Sequence, residues 1–222
     1  MDYENEINKT IQSISGTYSA YTVFKDWVEV YALAIQNTCE RVNPLCNKKV
    51  WDEREERYLS VINKYSMDDR MKFSGMCDML VKAFNKNGID DYLGNVYMKA
   101  GCGNKSTAQF FTPFNISVAS ASLGMPEIKN GKIKIHEPSC GGGGMVLAAA
   151  KVLLDKGENY QRVMEVVAQD LDWTSVHMAY VQLSLTGISA VVVQGDTLVD
   201  PYKIGYPDAR VFRTPRKMGV IY

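Results

Sequence analysis

The residues best suited to chemistry lie in the second half of this 222-residue sequence, where a run of glycines and two aspartates follow hydrophobic stretches. The glycines occupy positions 141–144, called here the glycine loop, and the aspartates are Asp170 and Asp196. Glycine has no Cβ atom, so a ligand can approach its backbone closely. An aspartate after one strand can accept hydrogen bonds from both ribose hydroxyls, and an aspartate after the next can accept one from an adenine amine. Together these features favour a ligand that contains adenosine.

The charge around the glycine loop separates two cofactors that contain adenosine. A nicotinamide dinucleotide needs the pattern G-x-G-x-x-G, because its pyrophosphate rests on a helix N-terminus. Counted from Gly141, the third glycine position of that pattern is occupied by Val146. Glu137 stands just before the loop, where a carboxylate would repel a pyrophosphate and attract a cation. S-adenosylmethionine carries a sulfonium and an ammonium and no phosphate, so charge favours it over NAD.

Strands that alternate with helices would bring these residues together, and the sequence from residue 112 onward predicts that alternation. Thr112 and Pro113 predict a helix start, with threonine as the cap and proline at the first helical position. Strands separated by helices form a parallel sheet, and ligands bind at its carboxyl edge. A further short strand is predicted at 218–222, beside the first strand. The other strands are predicted at 132–136, 162–169 and 189–194, and the helices between them at 145–156 and 173–186.

Residues 1–99 contain few glycines and carry apolar residues at three- and four-residue spacing, a pattern that predicts helices. The first of three predicted helices carries an apolar stripe over 21–35 and is broken at Asn43 and Pro44, and the other two cover 51–65 and 71–84. We therefore predict a helical N-terminal domain over residues 1–99 and an incomplete α/β domain over residues 100–222.

Composition narrows the class of protein. Lys and Arg number 25, as do Asp and Glu, so the formal net charge is zero. A free-standing nucleic-acid module is usually basic, so contact with DNA is expected to be local or through a partner. Five cysteines without a CxxC pair, and two histidines, predict neither a disulfide framework nor a metal site. The polar N-terminus and the lack of a long apolar run predict a cytoplasmic protein with no membrane contact.

Three segments, in this order, resemble the adenine-N6 DNA methyltransferase family, specifically the modification subunit of type I restriction–modification systems. They are residues 109–113 (QFFTP), 137–143 (EPSCGGG) and 169–170 (QD). Residues 91–94 (DYLG) and Tyr97 resemble the segment that leads into the core of that family, and the similarity covers about 91–198. The resemblance implies a partial Rossmann-like fold of the class I S-adenosylmethionine-dependent methyltransferases after a helical N-terminal domain.

The resemblance also implies a role toward S-adenosylmethionine for each matching residue. The residues at the methionine end would be Phe110, Phe111, Thr112 and Pro113. The residues of the main cofactor loop would be Glu137, Pro138, Cys140, Gly141 and Gly143. The residues around the adenosine would be Asp170 at the ribose, Asp196 at the adenine amine, and Leu171 and Leu198 beside the ring.

The sequence departs from the family at the catalytic motif, Asn/Asp-Pro-Pro-Tyr/Phe. In the family, the first side chain and the prolyl carbonyl of this motif accept hydrogen bonds from the target amine, and the aromatic ring stacks on the flipped base. No such tetrapeptide occurs before the last residue, Tyr222. The nearest stretch is Asp200, Pro201 and Tyr202, which lacks one residue and follows Asp196 too closely for an intervening strand. These three residues are therefore weak candidates for catalysis.

Three functions stay open at this point. The first is a domain that binds S-adenosylmethionine but does not transfer methyl groups alone. The second is an active DNA adenine-N6 methyltransferase, or a fragment of one. The third is a non-enzymatic decoy or interaction protein of a restriction–modification system. The expected partners are DNA, reached through a restriction–modification complex, and either other subunits of that complex or a second copy of the chain.

Overall fold

The structure is a computed structural model that describes residues 1–14, 16–43, 46–101 and 111–220. It has a mixed α/β architecture, in which a helical region at residues 3–99 precedes a sheet region at residues 114–213. The helices are α1 (Tyr3–Ile14), α2 (Ala20–Arg41), α3 (Lys48–Ile62), α4 (Met67–Asn87), α5 (Tyr92–Lys99), α6 (Phe114–Gly124), α7 (Gly144–Asp155), α8 (Tyr160–Val163) and α9 (Trp173–Leu185). The strands are β1 (Ile133–Glu137), β2 (Met164–Asp170), β3 (Ser189–Gln194) and β4 (Val211–Arg213), and a 3₁₀ turn, Asp208–Arg210, precedes β4.

The helical region contains the three helices that the sequence predicts there, observed as α2, α3 and α4. Their starts have a local cause, because a side chain accepts a hydrogen bond from a free backbone N–H of the first turn. Ser19 does this for α2, Asn47 for α3 and Ser66 for α4. Gly88, at φ 83°, ends α4 in a conformation that glycine adopts without strain.

The sheet has the strand order β1-β2-β3-β4. Strands β1, β2 and β3 are parallel, as the alternation of helices and strands predicts, and their carboxyl ends therefore lie at one edge. Glu137, Asp170 and Gln194 are the last residues of these strands, and Asp170 pairs in register with Gln194. Residues 137 and 170 thus project from the edge where ligands bind in open parallel sheets.

Two strand predictions are wrong in part. Residues 162 and 163 belong to the one-turn helix α8, because Asn159 caps that turn through the N–H of Arg162. The last strand of the sheet is β4, which pairs antiparallel with β3, rather than a strand at 218–222 beside β1. Pro215 has no N–H to continue the ladder, and the N–H of Val220 turns back to the carbonyl of Pro215. Residues 221 and 222 lie outside the described residues.

The predicted start of α6 is displaced by one residue. Pro113 occupies the N-cap position with an extended backbone, and the helix begins at Phe114. The carbonyl of Pro113 accepts the N–H groups of Ile116 and Ser117. Thr112 therefore stands outside the helix, and no side chain caps its first turn.

A continuous apolar cluster joins the helical region to the sheet region. It includes Trp27 and Leu80 from the first region and Leu147 and Met178 from the second, all fully buried. The division into two domains at residues 99 and 100 stays a prediction. Within the described part of the chain, no helix has both the length and the apolar character needed to cross a bilayer.

The side-chain amide of Gln182, on α9, is one of the polar connections between the two regions. It is fully buried, its Nε2 donates to Asp91 Oδ1 and to the carbonyl of Gly142, both at 2.8 Å, and its Oε1 accepts the N–H of Leu93 at 3.0 Å. Asp91 in turn caps α5 by accepting the N–H of Gly94 at 3.0 Å. This network fixes the glycine loop against the start of α5.

A second polar contact crosses the same interface near β4. The Arg54 guanidinium on α3 is buried, and it donates to Glu40 Oε1 at 2.7 Å and to the carbonyl of Val211 at 2.8 Å.

His177 on α9 packs edge-on against Phe212 of β4, with 5.4 Å between the ring centroids. Burial lowers the pKa of His177 to about 4, so it is neutral in the folded protein at neutral pH.

Replacing Gln182 with leucine is expected to lower the free energy of unfolding by at least about 3 kcal/mol. The substitution preserves the volume but leaves a buried carboxylate, a carbonyl and an N–H without their partner, and each lost partner costs about 1–3 kcal/mol. Urea unfolding followed by circular dichroism measures the change. Gln12→Leu, on the exposed face of α1, is the matched control and is expected to change stability by less than about 0.5 kcal/mol. Equal effects of the two variants would contradict the role of the network.

The buried His177 predicts a loss of stability in acid. Its pKa is about 4 when folded and 6.5 when exposed, so between these values the unfolded chain binds a proton that the folded protein does not. Its contribution is complete above pH 6.5 and declines as the pH falls toward 4, by about 3 kcal/mol at most.

Urea unfolding at several pH values should therefore give a shallower pH dependence for His177→Phe than for the unmodified chain. His136, exposed on β1, provides the control variant His136→Gln, which is expected to retain the original slope. Parallel curves for the unmodified chain and His177→Phe would refute this account.

Candidate functional site

A cavity of about 250 Å³ lies at the carboxyl edge of the sheet and is called here the edge cavity. It is bounded by the glycine loop, the start of α5, the segment that enters α6, and the end of β2. Its described lining residues are Asp91, Phe111, Thr112, Ser117, Ser139, Cys140, Gly141, Gly142, Gly144, Met145, Asp170 and Ser175.

The glycine loop lines this cavity, and part of its backbone adopts conformations that residues with a Cβ atom resist. Gly141 and Gly143 have φ values of 51° and 92°. A Cβ atom on Gly141 would lie 3.0 Å from the Phe111 ring, and one on Gly143 would lie 3.3 Å from the backbone of Ala179. The loop therefore packs tightly against α9 and leaves its other face open to the cavity.

Asp170 anchors the loop to the end of β2. Its Oδ2 accepts the N–H of Gly141 at 2.8 Å, and its Oδ1 accepts the N–H of Asp172 at 3.0 Å. The N–H of Cys140 donates to the carbonyl of Gln169 at 3.0 Å, which continues the attachment of the loop to β2. Each Asp170 oxygen has a further lone pair that a ligand hydroxyl could use.

The edge cavity is acidic. Two of its described lining residues, Asp91 and Asp170, are carboxylates, and none is Lys, Arg or His. Burial raises the pKa of both carboxyls and also that of Glu137, and the charge of Asp170 raises the pKa of Glu137 further. A cationic ligand would offset this concentration of negative charge, whereas a phosphate would add to it.

The structure places five of the predicted cofactor residues in the lining: Phe111, Thr112, Cys140, Gly141 and Asp170. Burial and the charge of Asp170 raise the pKa of the Cys140 thiol well above its usual range, so Cys140 is suited to packing rather than nucleophilic attack. The predicted residues that do not line the cavity are Pro113, Glu137, Pro138, Gly143, Leu171, Asp196 and Leu198, and Phe110 lies outside the described residues.

Several of the remaining residues stand at the rim of the same edge. The Thr197 hydroxyl donates to the carbonyl of Pro138 at 2.6 Å, which attaches the segment after β3 to the segment between β1 and the glycine loop. Asp196 is exposed, and its Oδ1 accepts the N–H of Leu198 at 2.9 Å. Leu171 and Leu198 are exposed to 65% and 95%, so both present apolar surface at the tips of β2 and β3.

Asp200, Pro201 and Tyr202 also lie at this edge but do not line the cavity. The buried side chain of Gln169 holds their backbone: its Nε2 donates to the carbonyl of Asp200, and its Oε1 accepts the N–H of Tyr202, both at 3.0 Å. The Tyr202 ring packs on that of Tyr206, with 5.9 Å between centroids. The segment is thus anchored by its backbone, and the Asp200 carboxylate is partly exposed.

The prediction of individual site residues omitted Asp91 and Ser117. Asp91 begins the DYLG segment, whose resemblance to the family implies no role at the cofactor. Ser117 is completely buried on α6, and its Oγ has no hydrogen-bond partner among the described residues. Helix α6 also contains Asn115, Ser120 and Ser122, so its sequence carries no signal that singles out Ser117.

Comparison with solved structures identifies the fold. A protein described as a class I S-adenosylmethionine-dependent methyltransferase from Listeria monocytogenes aligns with a TM-score of 0.52 and 15% identity over 90% of this chain. The type I restriction-modification system methyltransferase subunit from Streptococcus thermophilus aligns with a TM-score of 0.45 and 13% identity over 92%. The chain spans 55% of the length of the first protein and 60% of the second. The first alignment shows the class I methyltransferase fold.

Comparison of the sequence with known families identifies the chain more closely. No curated protein matches it significantly. The profile of the family "N-6 DNA Methylase" matches residues 89–216, which is more than half of the chain and includes α5, the glycine loop and Asp170. The chain therefore belongs to the N-6 DNA Methylase family.

Proposed function

We propose that this chain binds S-adenosylmethionine in the edge cavity, as the cofactor-binding part of a DNA adenine-N6 methyltransferase of the type I restriction–modification kind. The observation that carries the proposal is the charge of the cavity: the described lining includes two carboxylates and no cationic side chain. S-adenosylmethionine is a cation with an adenosine group. NAD carries a pyrophosphate, which this lining would repel.

We propose that each part of this cofactor would contact a different group of the predicted residues. Asp170 would accept hydrogen bonds from the ribose hydroxyls, and Asp196 would accept one from the adenine amine. Leu171 and Leu198 would enclose the adenine ring, which would explain why two large apolar side chains are exposed at the strand tips. Residues 110–113 would contact the methionine end, and the main loop would run beneath the sulfur. The residues of that loop are Glu137, Pro138, Cys140, Gly141 and Gly143.

Bound S-adenosylmethionine would supply an electrophilic methyl group on its sulfonium. The protein side of the reaction is then to bind and orient the cofactor and to present the target amine. The glycine loop allows close approach, and Asp170 both holds the loop and would bind the ribose. The position of the cofactor would thus be tied to the end of β2.

Catalysis requires a group that accepts hydrogen bonds from the target amine, and the family motif for that purpose does not occur in this sequence. Asp200 and Tyr202 are held by Gln169 away from the cavity lining, and Asp200 lies 3.9 Å from Lys203. We therefore propose that the chain alone binds the cofactor without transferring its methyl group.

The proposed partners follow from the same features. The chain would reach DNA as one member of a restriction–modification complex, because its formal net charge is zero and it has no excess of cations for independent binding. Other subunits of the complex, or a second copy, would complete the assembly. Such a role would place the protein in the cytoplasm.

Isothermal titration calorimetry with S-adenosylhomocysteine tests cofactor binding. We expect binding by the unmodified chain, and at least about tenfold weaker binding by Asp170→Asn, because a hydrogen bond to a charged group contributes about 1.5–3 kcal/mol. Asp155→Asn, exposed at the end of α7, is the matched control and should bind normally. A folded chain that fails to bind would refute the proposal.

A second candidate, an active methyltransferase, is favoured by one observation: Asp200 and Tyr202 are held at the ligand-binding edge by Gln169. Incubation with radiolabelled S-adenosylmethionine and DNA lacking adenine methylation distinguishes the two candidates. We expect no transfer by the purified chain. Transfer that Asp200→Ala abolishes would establish a substitute catalytic site, and transfer that survives this substitution would assign catalysis to other residues.

A further inference from the structure

Asp91 is a buried carboxylate in the edge cavity that the family resemblance does not explain. It is 4% exposed and lines the cavity. Its Oδ1 accepts from the N–H of Gly94 and from Nε2 of Gln182. Its Oδ2 accepts no hydrogen bond from any described residue, so one oxygen of a buried anion has capacity for a ligand.

The two carboxylates of the cavity contact different parts of the glycine loop. Asp170 accepts the N–H of Gly141, at the start of the loop. Asp91 lies against the far end, because a Cβ atom on Gly144 would be 3.0 Å from Asp91 Oδ2. A ligand that lies along the loop with its ribose at Asp170 would therefore bring its other end to Asp91.

The α6 side of the cavity offers hydrogen-bond donors. Thr112 and Ser117 line this side, and the Ser117 hydroxyl has no hydrogen-bond partner among the described residues. A hydroxyl group can donate a hydrogen bond to an anionic group such as a carboxylate. The cavity thus combines an acceptor for a cation, Asp91, with donors for an anion, which is the pattern that complements a zwitterionic amino acid.

We infer that Asp91 binds the α-ammonium group of the amino-acid part of S-adenosylmethionine. This inference rests on the proposed function and adds a second anchoring point to it. No cationic side chain of the described residues lines the cavity, and a buried carboxylate without a nearby cation is costly. The ligand ammonium supplies the missing charge. The site thereby selects adenosine thioethers that carry an α-amine.

The test compares S-adenosylhomocysteine with its desamino analogue, which keeps the carboxylate and lacks only the α-amine. Calorimetry on the unmodified chain should give binding at least about tenfold weaker for the analogue. In Asp91→Asn, the two ligands should bind within about twofold of each other, because only the amine depends on the charge. Asp170→Asn should weaken both ligands and preserve their ratio.

The substitution Asp91→Asn keeps a good N-cap residue and an acceptor for Gly94, and Asp91→Ser is the second variant if the first does not fold. A role limited to capping α5 predicts that both ligands weaken equally in these variants, and that result would overturn the inference. Equal binding of the two ligands by the unmodified chain would also overturn it, while leaving the proposed function intact. Failure to bind either ligand would refute the proposed function itself.

Discussion

The buried amide of Gln182 is the interaction on which the geometry of the site depends. From α9 it satisfies a carboxylate and an N–H at the start of α5 and a carbonyl of the glycine loop. Leaving such groups unpaired in an apolar interior is costly, so the network stabilises one arrangement of α5, the glycine loop and α9. The helical region is therefore part of the site, because it supplies Asp91 and the start of α5.

Negative charge is the second constraint on function. Folding brings Asp91 and Asp170 into one cavity and leaves cations out of its described lining. Burial raises the pKa of both carboxyls, which means that keeping them ionised in the folded protein costs free energy. A cationic ligand reduces that cost. The charge of the cavity therefore favours a cation, a preference that the geometry of the glycine loop alone does not explain.

Much of the sheet region was predictable because its signals are local. The segment 189–194 is a short apolar run between a helix and a turn, and it is β3 as predicted. Residues 162 and 163 belong to α8 instead of the predicted strand, because the side chain of Asn159 caps that single turn and β2 begins only at Met164. Strand β4 has only three residues, and its position beside β3 depends on backbone pairing that no local pattern records.

The sequence alone established the order of the parts: a glycine loop after one strand, Asp170 after the next, and the family resemblance that joins them. These features depend on residues close together in the chain, where backbone conformation and periodicity are readable. Only the tertiary structure brought Asp91 to the glycine loop, because the connection runs through Gln182, 91 residues further along. In the tertiary structure Glu137, Asp196 and Asp200 lie outside the cavity lining. The sequence does not determine this, because side-chain direction at a sheet edge depends on packing between distant elements.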